Sequence, residues 1–186
     1  IVYKNHKYIP ITLLSKEIED ITITCFSAAK TFNLAGLQAA FVHFPRKEEQ
    51  KKFNEELGIL DIKRNTPFSL AAMEACFTKG EKWYRELLEY LSDNIDFTEK
   101  YIKENMPEIS FERPEATYLL WLDFRKLGLT GSELHRLIKD EAKLVLNTGL
   151  SFSGNCEGFQ RINVACPRYM LEEALNRLSK AIKKYK

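Results

Sequence analysis

The amine of Lys30 is the side chain here best placed to do covalent chemistry. It stands in Ser27-Ala28-Ala29-Lys30-Thr31-Phe32-Asn33-Leu34-Ala35-Gly36, directly after Thr22-Ile23-Thr24-Cys25-Phe26, a run of β-branched and apolar residues that reads as a buried strand. A lysine at the end of such a strand hangs over a cleft and loses hydration, which favours the neutral, nucleophilic amine that forms imines. The small residues around it leave room for a ligand. On local sequence alone the more ordinary reading is a surface lysine in a strand-to-loop turn. Other reactive residue types are too scattered to compete. Cys25, Cys76, Cys156 and Cys166 have neither zinc-ribbon nor redox-pair spacing, so reduced thiols are expected, and His6, His43 and His135 fall in different elements and receive no chemistry.

A second run, Gln160-Arg161-Ile162-Asn163-Val164-Ala165-Cys166-Pro167-Arg168, changes the balance. Together with Lys30-Thr31-Phe32-Asn33-Leu34-Ala35-Gly36-Leu37-Gln38 and Pro114-Glu115-Ala116-Thr117-Tyr118-Leu119-Leu120-Trp121-Leu122-Asp123-Phe124, it resembles the C-terminal half of the fold-type I pyridoxal-phosphate enzymes. The resemblance is to the MalY/PatB group of cystathionine β-lyases, within the class I/II aminotransferase superfamily. Asn94-Ile95-Asp96-Phe97, Leu146-Asn147-Thr148-Gly149 and Glu157-Gly158-Phe159 fit in the same order, so the similarity runs nearly end to end. Ile1-Val2-Tyr3-Lys4 is similar to the residues that follow the motif whose aspartate pairs with the cofactor's pyridine nitrogen. On that comparison the chain begins mid-family, and as given it is expected to be an inactive C-terminal fragment of an active enzyme.

The resemblance implies pyridoxal 5'-phosphate as cofactor, tethered to Lys30, and an amino-acid substrate whose carboxylate is held by Arg161. A guanidinium offers two parallel donors in a fixed plane, so it orients the substrate as well as binding it; the local alternative is an edge-strand arginine in solvent. Arg168 reads as helix-start surface or an interdomain ion pair. Ser27, three residues before the lysine, is the candidate phosphate contact, because Ala29 stands where nearer relatives often have serine. Gln38 stands where aspartate aminotransferases carry a phosphate-binding arginine, which favours the lyase branch. Asn147 and Gly149 either approach the carboxylate or shape their loop. The implied reaction is β-elimination from cystathionine or a cysteine-like amino acid to thiol, pyruvate and ammonia. An aminotransferase is the mechanistic neighbour, and a non-catalytic regulatory or dimerisation module is the remaining alternative. The family also implies a homodimer of the whole protein, and the lack of a charged leader or signal-peptide core at the start leads to the expectation of a mature or cytoplasmic origin.

The elements that must position these residues are α/β. After a loop through Pro10 and a polar stretch over Ser15 to Asp20, a second strand is expected from Leu37 to Phe44. A helix follows from Arg46 to Leu57, stopped by Gly58; Thr66-Pro67 opens another over Phe68 to Phe77, ending near Gly80. Trp83, Leu87, Leu91, Ile95 and Ile102 mark a long helix over residues 81–105. Beyond it come strands at Ile109–Arg113, Tyr118–Phe124, Leu144–Leu146 and Phe159–Ala165, and a helix opened by a Thr130/Glu133 capping box and running to about Ala142. A terminal helix presents Leu171, Ala174, Leu175, Leu178, Ile182 and Tyr185 on one face. The expected division is residues 1–79 as the end of a large cofactor-binding domain, 80–105 as an interdomain helix, and 106–186 as a small two-layer domain.

Composition agrees with a globular chain. It has 186 residues, 45% hydrophobic and 29% charged, enough for one to two domains and a substantial core. A net charge of +2, with lysine and glutamate alternating along helix faces, argues against a nucleic-acid partner. No apolar run approaches a membrane span.

Overall fold

Residues 1–62 and 64–185 are described by the computed structural model. They fall into two units, Lys7–Leu87 and Ile1–His6 together with Leu88–Lys186. In the first unit, α1 (Lys16–Asp20) is a single turn capped by Ser15, whose hydroxyl accepts from the Ile18 amide at 3.3 Å. The polar stretch expected as loop is helical because serine satisfies the first free amide. The strand expected over Thr22–Phe26 forms only over Thr24–Phe26 (β1), and it is not buried: Cys25 and Phe26 are exposed. It pairs antiparallel with β2 (Phe41–His43), Cys25 opposite Val42, in a two-stranded sheet, and a ribbon this small cannot cover its own faces. The longer strand expected from Leu37 is cut short because Ala35–Leu37 makes a 3-10 turn and Gln38 takes φ +51°.

α2 (Lys47–Ile59) runs through Gly58 instead of stopping there. The left-handed residue is Asp61, φ +51°; its amide bonds the Gly58 carbonyl at 3.2 Å and the Ile62 amide bonds Leu57 at 3.1 Å. Those two bonds form a Schellman ending, for which aspartate tolerates the left-handed backbone. α3 (Pro67–Lys79) begins as the sequence predicts, with the Ser69 amide donating to Thr66 Oγ1 at 3.1 Å and proline in the first turn. α4 (Glu81–Asn105) has the predicted bounds and buries Leu91, Ile95 and Ile102 at helical spacing.

The second unit is built on an antiparallel sheet of order β3 (Leu119–Asp123), β5 (Phe159–Asn163), β4 (Asn147–Thr148). Strand alternation sends Leu120, Leu122, Gln160 and Ile162 inward and leaves Trp121, Phe159 and Arg161 half-buried on the other face. Of the expected Ile109–Arg113 strand only a bridge, Ser110 to Asp123, forms. The strand expected at Leu144–Leu146 is displaced to Asn147–Thr148, because Lys143 takes φ +55° and the Leu144 amide still bonds back to Ile138 at 2.9 Å. The capping box forms reciprocally and opens α5 (Gly131–Arg136), which widens into a π turn over Leu137–Glu141. α6 (Arg168–Tyr185) buries Leu171, Leu175, Leu178 and Ile182, each worth about 1.5–3 kcal/mol over exposure. Tyr185, expected on that face, is exposed in the last turn. Residues 1–3 join this unit: the Tyr3 amide bonds Glu115 at 3.0 Å, the Thr117 amide bonds Ile1 at 3.1 Å, and the Tyr3 hydroxyl bonds the Thr117 carbonyl. Among the described residues no helix is long and apolar enough to cross a membrane.

Candidate functional site

Lys30 sits in the connection between β1 and β2, and that connection is pinned at three points. Ser27 Oγ donates to the Ala39 carbonyl at 2.6 Å and accepts from the Ala29 amide at 3.0 Å, which closes the mouth of the loop. Ser69 of α3, itself buried, donates to the Leu37 carbonyl at 2.9 Å. Phe32 stacks on Trp83 with ring centroids 5.3 Å apart and lies against Gly80, where a Cβ would come within 2.6 Å of its ring. The chain between is a tight turn, Phe32 bonding back to Ala28 at 2.9 Å and Leu34 to Ala29 at 2.8 Å, around a buried Ala28. Asn33, with φ +55°, turns the chain out of it.

Lys30 itself is exposed. The burial expected from a core strand before it is missing, for the reason already seen in β1. Its amine makes no hydrogen bond or ion pair among the described residues, and a Cβ at Gly36 would meet nothing within 4 Å. An exposed primary amine without a partner among the described residues, on a loop held from three sides, is free to bond an aldehyde group. Ser27 fits the expected phosphate role poorly, because its one hydroxyl proton is committed to Ala39.

Arg161 lies in the other unit. It is on β5, the central strand, and not at an edge, with Trp121 and Asn147 directly across from it on the two neighbouring strands. Its Nη2 donates to Asn147 Oδ1 at 3.0 Å, and its guanidinium lies 4.8 Å from the Phe152 ring centre. Nε is buried with no partner among the described residues. A buried donor left unmade is costly, whereas the terminal N–H groups that Asn147 does not take remain free to meet an anion. Beside it, Arg125 pairs with Asp123 at 2.8 Å and lies 4.7 Å over Phe159; the hydrogen bond from Arg125 holds the Asp123 carboxyl below its ordinary range.

Arg168 is not free surface, and among the described residues it makes no ion pair with an acid. Its Nε donates to Asn94 Oδ1 at 2.8 Å and its plane lies 4.6 Å from the centre of the Phe97 ring. Asn94, fully buried on α4, also donates to the carbonyls of Val164 at 2.8 Å and Cys166 at 3.1 Å, so one side chain fixes the end of the strand that carries Arg161. Burial pushes the Cys166 thiol up, away from reactive thiolate. Sequence reasoning quoted Asn94 without giving it a role and missed Phe152 and the Phe32–Gly80 contact; Gly80 was legible only as a helix ending.

The α/β fold matches solved pyridoxal-phosphate-bound structures of fold type I over the length of the chain. The chain belongs to the aminotransferase class I and II family, whose model matches residues 1–178. It is 34% identical to the cystathionine beta-lyase PatB of Bacillus subtilis over 95% of this chain and 46% of that protein. It is 28% identical to the protein MalY of Escherichia coli over 84% of this chain and 40% of that one. Among solved structures, a pyridoxal-phosphate-bound protein from Clostridium difficile superposes with a TM-score of 0.94 at 50% identity, covering 98% of this chain and 47% of that one. Cystalysin from Treponema denticola, which contains pyridoxal 5'-phosphate, gives 0.94 at 26% identity over 100% and 47% of the two chains. The chain thus spans about half the length of the curated relatives it matches. The family is enzymatic and depends on pyridoxal phosphate.

Proposed function

We propose that the whole protein is a pyridoxal-phosphate-dependent C–S β-lyase that cleaves cystathionine or a cysteine-like amino acid to a thiol, pyruvate and ammonia. Lys30 holds the cofactor and Arg161 holds the substrate carboxylate. The observation that carries this reading is the unpartnered Lys30 amine on a loop pinned by Ser27, Ser69 and Phe32, in a chain 34% identical to a cystathionine beta-lyase. When bound, pyridoxal phosphate supplies a ring that takes up the electron pair left at the substrate's Cα. Lys30, as a free amine, removes the Cα proton as general base. Arg161, by gripping the α-carboxylate in its plane, orients the substrate. A sulfur leaving group on Cβ then departs as the thiol.

Aminotransfer is the second reading, favoured by the family model and by 26% identity to the aspartate aminotransferase of Pyrococcus horikoshii over 97% of this chain. The test is cystathionine turnover by the whole protein, following pyruvate against amino-group transfer to a keto acid. Pyruvate without an acceptor is expected; strict dependence on a keto acid refutes the lyase. Borohydride treatment followed by peptide mapping should place a pyridoxyl group on Lys30, and Lys30→Ala should abolish it. A label on another lysine overturns the assignment.

A further inference from the structure

The guanidinium of Arg161 is held on two sides before any ligand arrives, and the residues that hold it come from one short stretch. β4 places Asn147 directly across from Arg161, and its Oδ1 accepts from Nη2 at 3.0 Å. Five residues on, the Phe152 ring lies 4.8 Å from the guanidinium carbon and is itself braced by an edge-to-face contact with Trp121 at 5.3 Å. Trp121 is the residue across from Arg161 on β3, so the brace is anchored in the same rung of the sheet. The turn between Asn147 and Phe152 is folded tightly: Ser151 Oγ donates to the Thr148 carbonyl at 2.7 Å. At Gly149 a Cβ would lie 2.1 Å from the Cys156 carbonyl, a close approach only glycine allows.

We infer that Asn147 and Phe152 are positioning residues that fix the plane and the free edge of the Arg161 guanidinium, and so make the site select a carboxylate. This rests on the reading of Arg161 as the carboxylate holder. Phe152 occupies one face of the plane, Asn147 takes one hydrogen of Nη2, and Nε is enclosed. Among the described residues nothing takes Nη1 or the second Nη2 hydrogen, and these terminal donors are what stays available. Two parallel donors on a fixed edge match two carboxylate oxygens; a carboxamide offers one acceptor and one opposing N–H pair. An arginine ordered beforehand also loses less freedom on binding than a long flexible one.

The test measures equilibrium binding to the cofactor-loaded whole protein by titration calorimetry. The probes are 3-(methylsulfanyl)propanoate, which has a carboxylate but no amino group and so binds without reacting, and its carboxamide. Asn147→Ala and Phe152→Leu are each expected to weaken the acid about tenfold, the scale of one lost charge-assisted contact, while the amide changes less than about twofold. Phe152→Tyr, which keeps the ring, should match the unaltered protein. In an Arg161→Ala background Asn147→Ala should change nothing further. If Arg161→Ala abolishes the preference for the acid while Asn147→Ala and Phe152→Leu preserve it, the positioning role is overturned and the carboxylate reading survives. Equal weakening of acid and amide also overturns it. If Arg161→Ala leaves acid binding intact, the carboxylate reading itself fails.

Discussion

Replacing Gly80 with alanine probes how the lysine loop is held. Gly80 has φ −81° and ψ −6°, a right-handed geometry that alanine adopts without strain, so backbone preference alone predicts a gain. The added methyl, however, would sit 2.4 Å from the Cys76 carbonyl oxygen and 2.6 Å from the Phe32 ring. Neither is the loose end of a flexible chain. Overpacking of this kind costs about 2 kcal/mol, and the entropic advantage of alanine over glycine returns about 0.7, leaving a net loss of roughly 1.3 kcal/mol. The Phe32 ring is the contact that is not backbone, and its displacement breaks the 5.3 Å stack on Trp83. The chain has two tryptophans, so a Trp121→Phe background leaves Trp83 as the sole reporter. Urea unfolding followed by its emission should show a lower midpoint and an altered folded-state spectrum. In the whole protein, borohydride labelling of Lys30, two residues from Phe32, should slow. A Gly80→Ala protein that is as stable as the original, with unchanged Trp83 emission, refutes the anchoring role.

Asn94→Ala removes three hydrogen bonds from a fully buried position, two to carbonyls and one from Arg168, and is expected to cost roughly 2–4 kcal/mol in denaturant unfolding. A loss below about 0.5 kcal/mol contradicts the bonding described. Burial, partly offset by Arg113, pushes the Tyr3 phenol from 10.0 up to about 12. The folded protein therefore keeps that proton longer than the unfolded chain does. Its contribution is complete below pH 10 and should fall as pH rises through 10 to 12, by at most ~1.4 kcal/mol per pH unit, and Tyr3→Phe should flatten that part of the profile.

What the sequence made legible was local. Thr66-Pro67 and the Thr130/Glu133 pair announce helix starts because their chemistry is completed within one turn. The long helix was readable because its apolar stripe repeats over many turns. Helix α2 was misjudged at its end, since both Gly58 and Asp61 could take the left-handed conformation and only the bonds from Asp61 and Ile62 decide between them. The strands were overdrawn: β-rich composition near Lys30 and at Leu144–Leu146 says what could extend, whereas Gln38 and Lys143 at positive φ decide where extension stops. Of the site, Lys30 and Arg161 stood out by residue type and family pattern. Asn147 was legible as a candidate near the carboxylate but not as the partner of Arg161, which is a matter of strand register; Phe152 at Arg161 and Phe32 against Gly80 are matters of tertiary packing.

The π turn at Leu137–Glu141 accommodates more residues per turn than the α-helix it continues, and so places the adjacent Leu137 and Ile138 both in the core. Deleting one residue there would restore ordinary helical winding and swing everything downstream by about 100° around the axis. The stretch that leads into Asn147 would then approach the sheet with the opposite side chains forward. One extra residue in a helical turn thereby keeps the backbone on either side of it in phase.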